Sequence, residues 1–101
     1  MNKAYGKNDT LIEARVGETF TIELEGNPST GYQWQEDIDT EKVKLLDRVF
    51  EAHTQNIGSA GKVRLTFQPI SEGDTTIFLG YRPVWEKDNF ESVEFKLRAR
   101  K

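Results

Sequence analysis

Period two dominates the chain. Phe20, Ile22 and Leu24 alternate with Thr19, Thr21, Glu23 and Glu25. Val63, Leu65 and Phe67 alternate with Lys62, Arg64, Thr66 and Gln68, and Val93, Phe95 and Leu97 with Glu94, Lys96 and Arg98. Successive side chains of a strand point to opposite faces, so this pattern marks strands with one face in a core and the other in water. Residues 75–81 are more continuously apolar, as a central strand requires. Residues 11–14 read as a first strand and residues 43–52 as a less regular, bulged one. Turn signals separate these runs: Val16-Gly17-Glu18 before the second strand, and a tight connection over residues 69–74. Residues 37–42 suit a short helical turn capped by Asp39 or Thr40. No segment sustains a helical period. About seven short strands in 101 residues predict an all-β protein, an immunoglobulin-like antiparallel β-sandwich, with Trp34 on the third strand, where such sandwiches bury a tryptophan. Without a linker, repeat or low-complexity stretch, residues 1–101 are expected to form one domain.

Composition narrows the function classes. There is no cysteine, hence no disulfide, thiolate ligand or cysteine nucleophile, and packing alone must hold the sheets together. The one histidine, His53, leaves Ser29 and Ser59 without a convincing catalytic partner, and Asp37 and Asp39 lack the further ligands that calcium needs. No enzyme, no metal and no cofactor are expected. A formal net charge of −3 gives no basic surplus for nucleic acid. The basic residues at 96–101 alternate with apolar ones and read as the solvated face of a last strand. No apolar run approaches the ~20 residues of a membrane span, so no membrane partner is expected. Residues 1–9 lack a signal-peptide core. The expected compartment is the cytoplasm if Met1 is native, and secreted or periplasmic if the chain is a mature fragment. A monomer is expected.

Three loops stand out. The first, Asn27-Pro28-Ser29-Thr30-Gly31-Tyr32, follows a clean strand; Pro28 fixes one φ angle and Gly31 permits an unusual one. The second runs over residues 55–61 and includes Gly58, Ser59, Ala60 and Gly61. Its small side chains suit close backbone approach to another chain, and no P-loop reading survives because a strand follows. The third, Tyr81-Arg82-Pro83-Val84-Trp85-Glu86, offers arginine and tryptophan, the residues that most often dominate interface energy. In an immunoglobulin-like order these loops follow strands two, four and six and emerge at one end.

Taken together, the loops resemble those of the chagasin-type inhibitors of papain-like cysteine proteases, peptidase inhibitor family I42. The family pattern N-P-T-T-G-[YF] matches residues 27–32, with Ser29 for the first threonine. G-x-G-G matches residues 58–61, with Ala60 for a glycine, and R-P-W matches residues 82–85, with Val84 inserted. The resemblance implies an immunoglobulin-like sandwich that inserts the three loops as a wedge into the cleft of a cathepsin L-type protease. In that wedge Thr30 and Gly31 sit over the catalytic cysteine, the glycine loop lies on the non-primed side, and Arg82, Pro83 and Trp85 lie on the primed side. Inhibition is then reversible and noncovalent. The alternative reading is a carbohydrate- or protein-binding adhesion-type sandwich, in which Tyr32, Trp34, Tyr81 and Trp85 form an exposed stacking platform.

Overall fold

A computed structural model describes residues 3–27, 30–52 and 60–101. Eight strands form two four-stranded sheets: β1 (Lys3–Tyr5), β2 (Leu11–Arg15), β3 (Phe20–Gly26), β4 (Tyr32–Asp37), β5 (Val43–Ala52), β6 (Gly61–Pro69), β7 (Gly73–Pro83) and β8 (Glu91–Arg100). One sheet has the order β1-β3-β6-β5 and the other β2-β8-β7-β4. The alternating runs became β3, β6 and β8, and their apolar faces meet between the sheets. Phe20, Ile22 and Leu24 bury against Leu65 and Phe67 from one side and Ile77, Leu79, Phe95 and Leu97 from the other. The neighbouring rings of Phe20 and Phe67 stack with centroids 5.8 Å apart. Each such side chain contributes about 1.5–3 kcal/mol by leaving water, which is how the sandwich holds together with no disulfide.

Two features depart from the expected pattern. The strands number eight because Lys3–Tyr5, too short to show alternation, pairs with β3. And the sandwich is antiparallel through its inner pairings, while β1 joins β3 and β2 joins β8 in parallel at the sheet edges. Neither arrangement could be read from a local pattern, since each depends on where a distant strand lies. Tyr5 is fixed edge-on to Phe20 at 6.1 Å, and partial burial, then the nearby Asp9 and Glu13 carboxylates, push its phenol pKa up.

The bulge expected in residues 43–52 is real: the register on β6 slips between Leu45 and Asp47, leaving Leu46 unmatched. The short turn before β5 is also present, with the Asp39 carboxylate accepting the Glu41 N–H at 3.0 Å. On the outer face, Arg64 spans Glu23 (2.9 Å) and Glu51 (3.1 Å). These two carboxylates, Glu23 first, raise its pKa further.

Candidate functional site

Strand register brings the loops together. Gly26, at the end of β3, stands opposite Gly61 at the start of β6, and Gly61 stands opposite Ala52 at the end of β5. In the other sheet Tyr32 opens β4 opposite Pro83, which closes β7. The stems of all three loops therefore share one end of the sandwich, as expected. Because β1 adds a strand at the front, the loops follow β3, β5 and β7. Pro28, Ser29, Gly58 and Ser59, and with them most of the second loop, lie outside the described residues.

The first loop is braced from below and from within. Trp34 is 3% exposed, and its indole Nε1 donates to the Glu25 carbonyl at 2.9 Å, tying one sheet to the other under the loop. The Asn27 N–H donates to the Tyr81 hydroxyl at 3.0 Å. Thr30 closes the turn: its N–H (3.2 Å) and its hydroxyl (2.7 Å) both donate to the Asn27 carbonyl. The hydroxyl hydrogen is thus committed inside the loop, and its oxygen in turn accepts the Tyr32 N–H at 3.4 Å. Gly31 takes φ 85°, a left-handed conformation that costs other residues roughly 1–2 kcal/mol.

Close approach explains the glycines at the stems. A Cβ on Gly61 would collide with the Glu51 carbonyl and come within 2.7 Å of the Ala52 Cα. A Cβ on Gly26 would stand 2.9 Å from Val63 Cγ2 and 3.7 Å from the Trp34 indole nitrogen. Ala60, next to Gly61, is exposed.

The third loop divides its residues between brace and display. Arg82 is half-buried and points back along the stem, donating to Asn89 Oδ1 at 2.8 Å and reaching Gln35 Oε1 at 3.5 Å. Pro83 is buried and starts a turn through its carbonyl, which accepts the Glu86 N–H at 3.1 Å. Trp85 is displayed, 74% exposed, yet its ring lies over the first loop, with Cη2 3.2 Å from where a Gly31 Cβ would be. The inserted Val84 therefore does not carry the indole away from Thr30 and Gly31.

Sequence reasoning missed Phe90, the most exposed large apolar side chain among the described residues at 77%. Its N–H donates to the Tyr81 carbonyl at 2.8 Å, and its ring meets Tyr32 edge-on at 6.0 Å. Tyr32 in turn packs on Tyr81 at 5.4 Å, and Tyr81 on Trp34 at 4.9 Å. An aromatic ladder thus climbs from the core to the loop end, where Thr30, Tyr32, Tyr81 and Phe90 line a shallow apolar recess. One signal was available: Phe90 shares the parity of Ser92, Glu94 and Lys96, the water-facing side of β8. The Tyr81 hydroxyl gave no signal, because its partner is 54 positions away. The four-aromatic sugar platform is not formed, since Trp34 belongs to the core.

The described residues thus form a two-sheet sandwich with a hydrogen-bonded turn and displayed aromatic rings at one end. The chain belongs to the chagasin family of peptidase inhibitors: the Chagasin family peptidase inhibitor I42 profile matches residues 13–99. It is 38% identical over 84 residues to amoebiasin-2 of Entamoeba histolytica, spanning 80% of this chain and 68% of that one. Its fold is similar to that of EhICP2, a cysteine protease inhibitor from the same organism (TM-score 0.82, 24% identity, 98% and 97% of the two chains). It also resembles PbICP-C as solved in complex with falcipain-2 (TM-score 0.59, 18% identity, 97% and 98%). The family is one of inhibitors, not of enzymes.

Proposed function

We propose that this chain inhibits papain-like cysteine proteases of the cathepsin L type by filling the active-site cleft with the loop at residues 27–32, flanked by residues 58–61 and 82–85. The observation that carries this reading is the contact between loops: Trp85 lies on Gly31, while Thr30, Asn27 and Tyr81 fix the loop beneath it. A cleft-filling element must be stiff, because each side chain or segment ordered on binding weakens the complex. Protease binding is found elsewhere on this fold, in the complex of PbICP-C with falcipain-2.

The chemistry is occlusion. Thr30 and Gly31 sit over the catalytic cysteine, and the internally bonded turn resists the extended conformation in which a protease cleaves its substrates. Trp85 and Phe90 bury large apolar area at low entropy cost. No covalent bond forms, so inhibition reverses on dilution. The test is a titration of papain and of a cathepsin L-type protease against a fluorogenic substrate. The expected result is stoichiometric loss of activity at nanomolar protein, recovered on dilution; full activity at micromolar protein would overturn the reading.

A further inference from the structure

Strand β5 is the outer strand of its sheet and, at ten residues, the longest edge of the sandwich; β1, β2 and β4 have three, five and six. Leu46, Val49 and Phe50 are exposed along it. Long apolar edges pair with other strands unless something prevents it.

The sequence of β5 is complementary to its own reverse. Laid antiparallel on a second copy with Val43 opposite Ala52, it sets Lys44 opposite Glu51, Leu45 opposite Phe50 and Leu46 opposite Val49, each pair occurring twice. Opposite charges and apolar pairs are the cross-strand combinations that stabilise a sheet.

The side-chain faces also agree, and the bulge is the reason. A two-fold axis normal to a sheet keeps each face opposite itself, so an unbroken strand self-pairs only between residues of equal parity. This register pairs odd with even, which the slip at Leu46 allows by exchanging the faces half-way. Before the slip, Val43 and Leu45 turn toward the core and Lys44 and Leu46 toward water. After it, Glu51 reaches Arg64 on the outer face with Val49 on its parity, while Arg48 meets Glu36 of the opposite sheet and Phe50 turns toward Trp34. Lys44–Glu51 and Leu46–Val49 thus meet outside, Leu45–Phe50 and Val43–Ala52 inside. At the centre the bulged pair Leu46 and Asp47 together faces Val49 of the other copy, so Arg48 falls on the two-fold axis opposite its own copy, where each arginine keeps Glu36 as its partner.

We propose that, in place of the monomer expected from the sequence, a second copy of this chain docks on the β5 edge, joining two four-stranded sheets across a two-fold axis. The paired strands run in opposite directions, so the two loop ends point apart and both stay open. This surface is independent of what the loops bind. The test is sedimentation velocity from micromolar to millimolar concentration. The mass is expected to rise from the 11.6 kDa of one chain toward twice that value. Lys44→Glu, an exposed change, brings like charges together at both ends and should raise the dissociation constant about tenfold. The double variant Lys44→Glu/Glu51→Lys should restore association, with circular dichroism confirming that each variant is folded. A mass fixed at one chain throughout, or equal association by parent and Lys44→Glu, overturns the proposal. The edge charges and bulge would then be protection against pairing.

Discussion

Trp85, Phe90 and Thr30 separate display from bracing. Trp85 and Phe90 are exposed and lie outside the buried core, so removing either should weaken inhibition while moving the melting temperature little. Central interface aromatics cost roughly 2 kcal/mol or more when truncated. Trp85→Ala should therefore raise the inhibition constant about thirtyfold or more, and Phe90→Ala by a smaller factor, both read by titration against papain. Thr30 works differently. Its hydroxyl donates to the Asn27 carbonyl within the loop, and a net hydrogen bond is worth about 1 kcal/mol. Thr30→Val keeps the shape and loses the bond. It should raise the inhibition constant about fivefold, chiefly through faster dissociation, as a stopped-flow measurement would show. The motif singled out Thr30 and Trp85 in the sequence. It could not say that Arg82 is held by Asn89 and that Phe90 is displayed beside Tyr32, because both facts depend on how the connection from β7 to β8 folds back on the sheet.

At the scale of elements, the alternating strands were the most legible part. One buried face imposes its period on the residues, and β3, β6 and β8 appear where the pattern puts them. The bulge in β5 was legible as lost alternation, but its use was not: only the sheet order makes β5 an edge. Strand β1 was invisible because three residues carry no period, and its hold on the sheet rests on β3 and on Tyr5 against Phe20. That contact predicts a pH dependence. The fold raises the Tyr5 pKa, chiefly by desolvation, so the folded chain holds this proton more tightly than the unfolded one. The contribution is complete below the ordinary tyrosine pKa near 10 and is lost as pH rises through the raised value. Urea melts from pH 8 to 11 should show Tyr5→Phe losing less stability at the alkaline end than the parent, with the two alike at pH 8.

For the molecule as a whole, substitutions in the core and at the proposed loop site should separate stability from inhibition. Phe67 is fully buried against Phe20, and truncating such a ring costs about 3–5 kcal/mol. Phe67→Ala should lower the melting temperature by ten degrees or more and lose inhibition only as the chain unfolds. Trp85→Ala should do the reverse, and calorimetry beside inhibition titrations distinguishes the two. The amino-acid sequence by itself determined the all-β class, the position of most strands, the burial of Trp34 and the three loops, because burial on one face and turn chemistry are local constraints. Only the tertiary structure decided the parallel edges, the brace from Tyr81 to Asn27, the ladder ending at Phe90 and the open β5 edge. Each of these is a relation between residues far apart in the chain, and the strand order that joins them is set by the global packing of two sheets rather than by any local pattern.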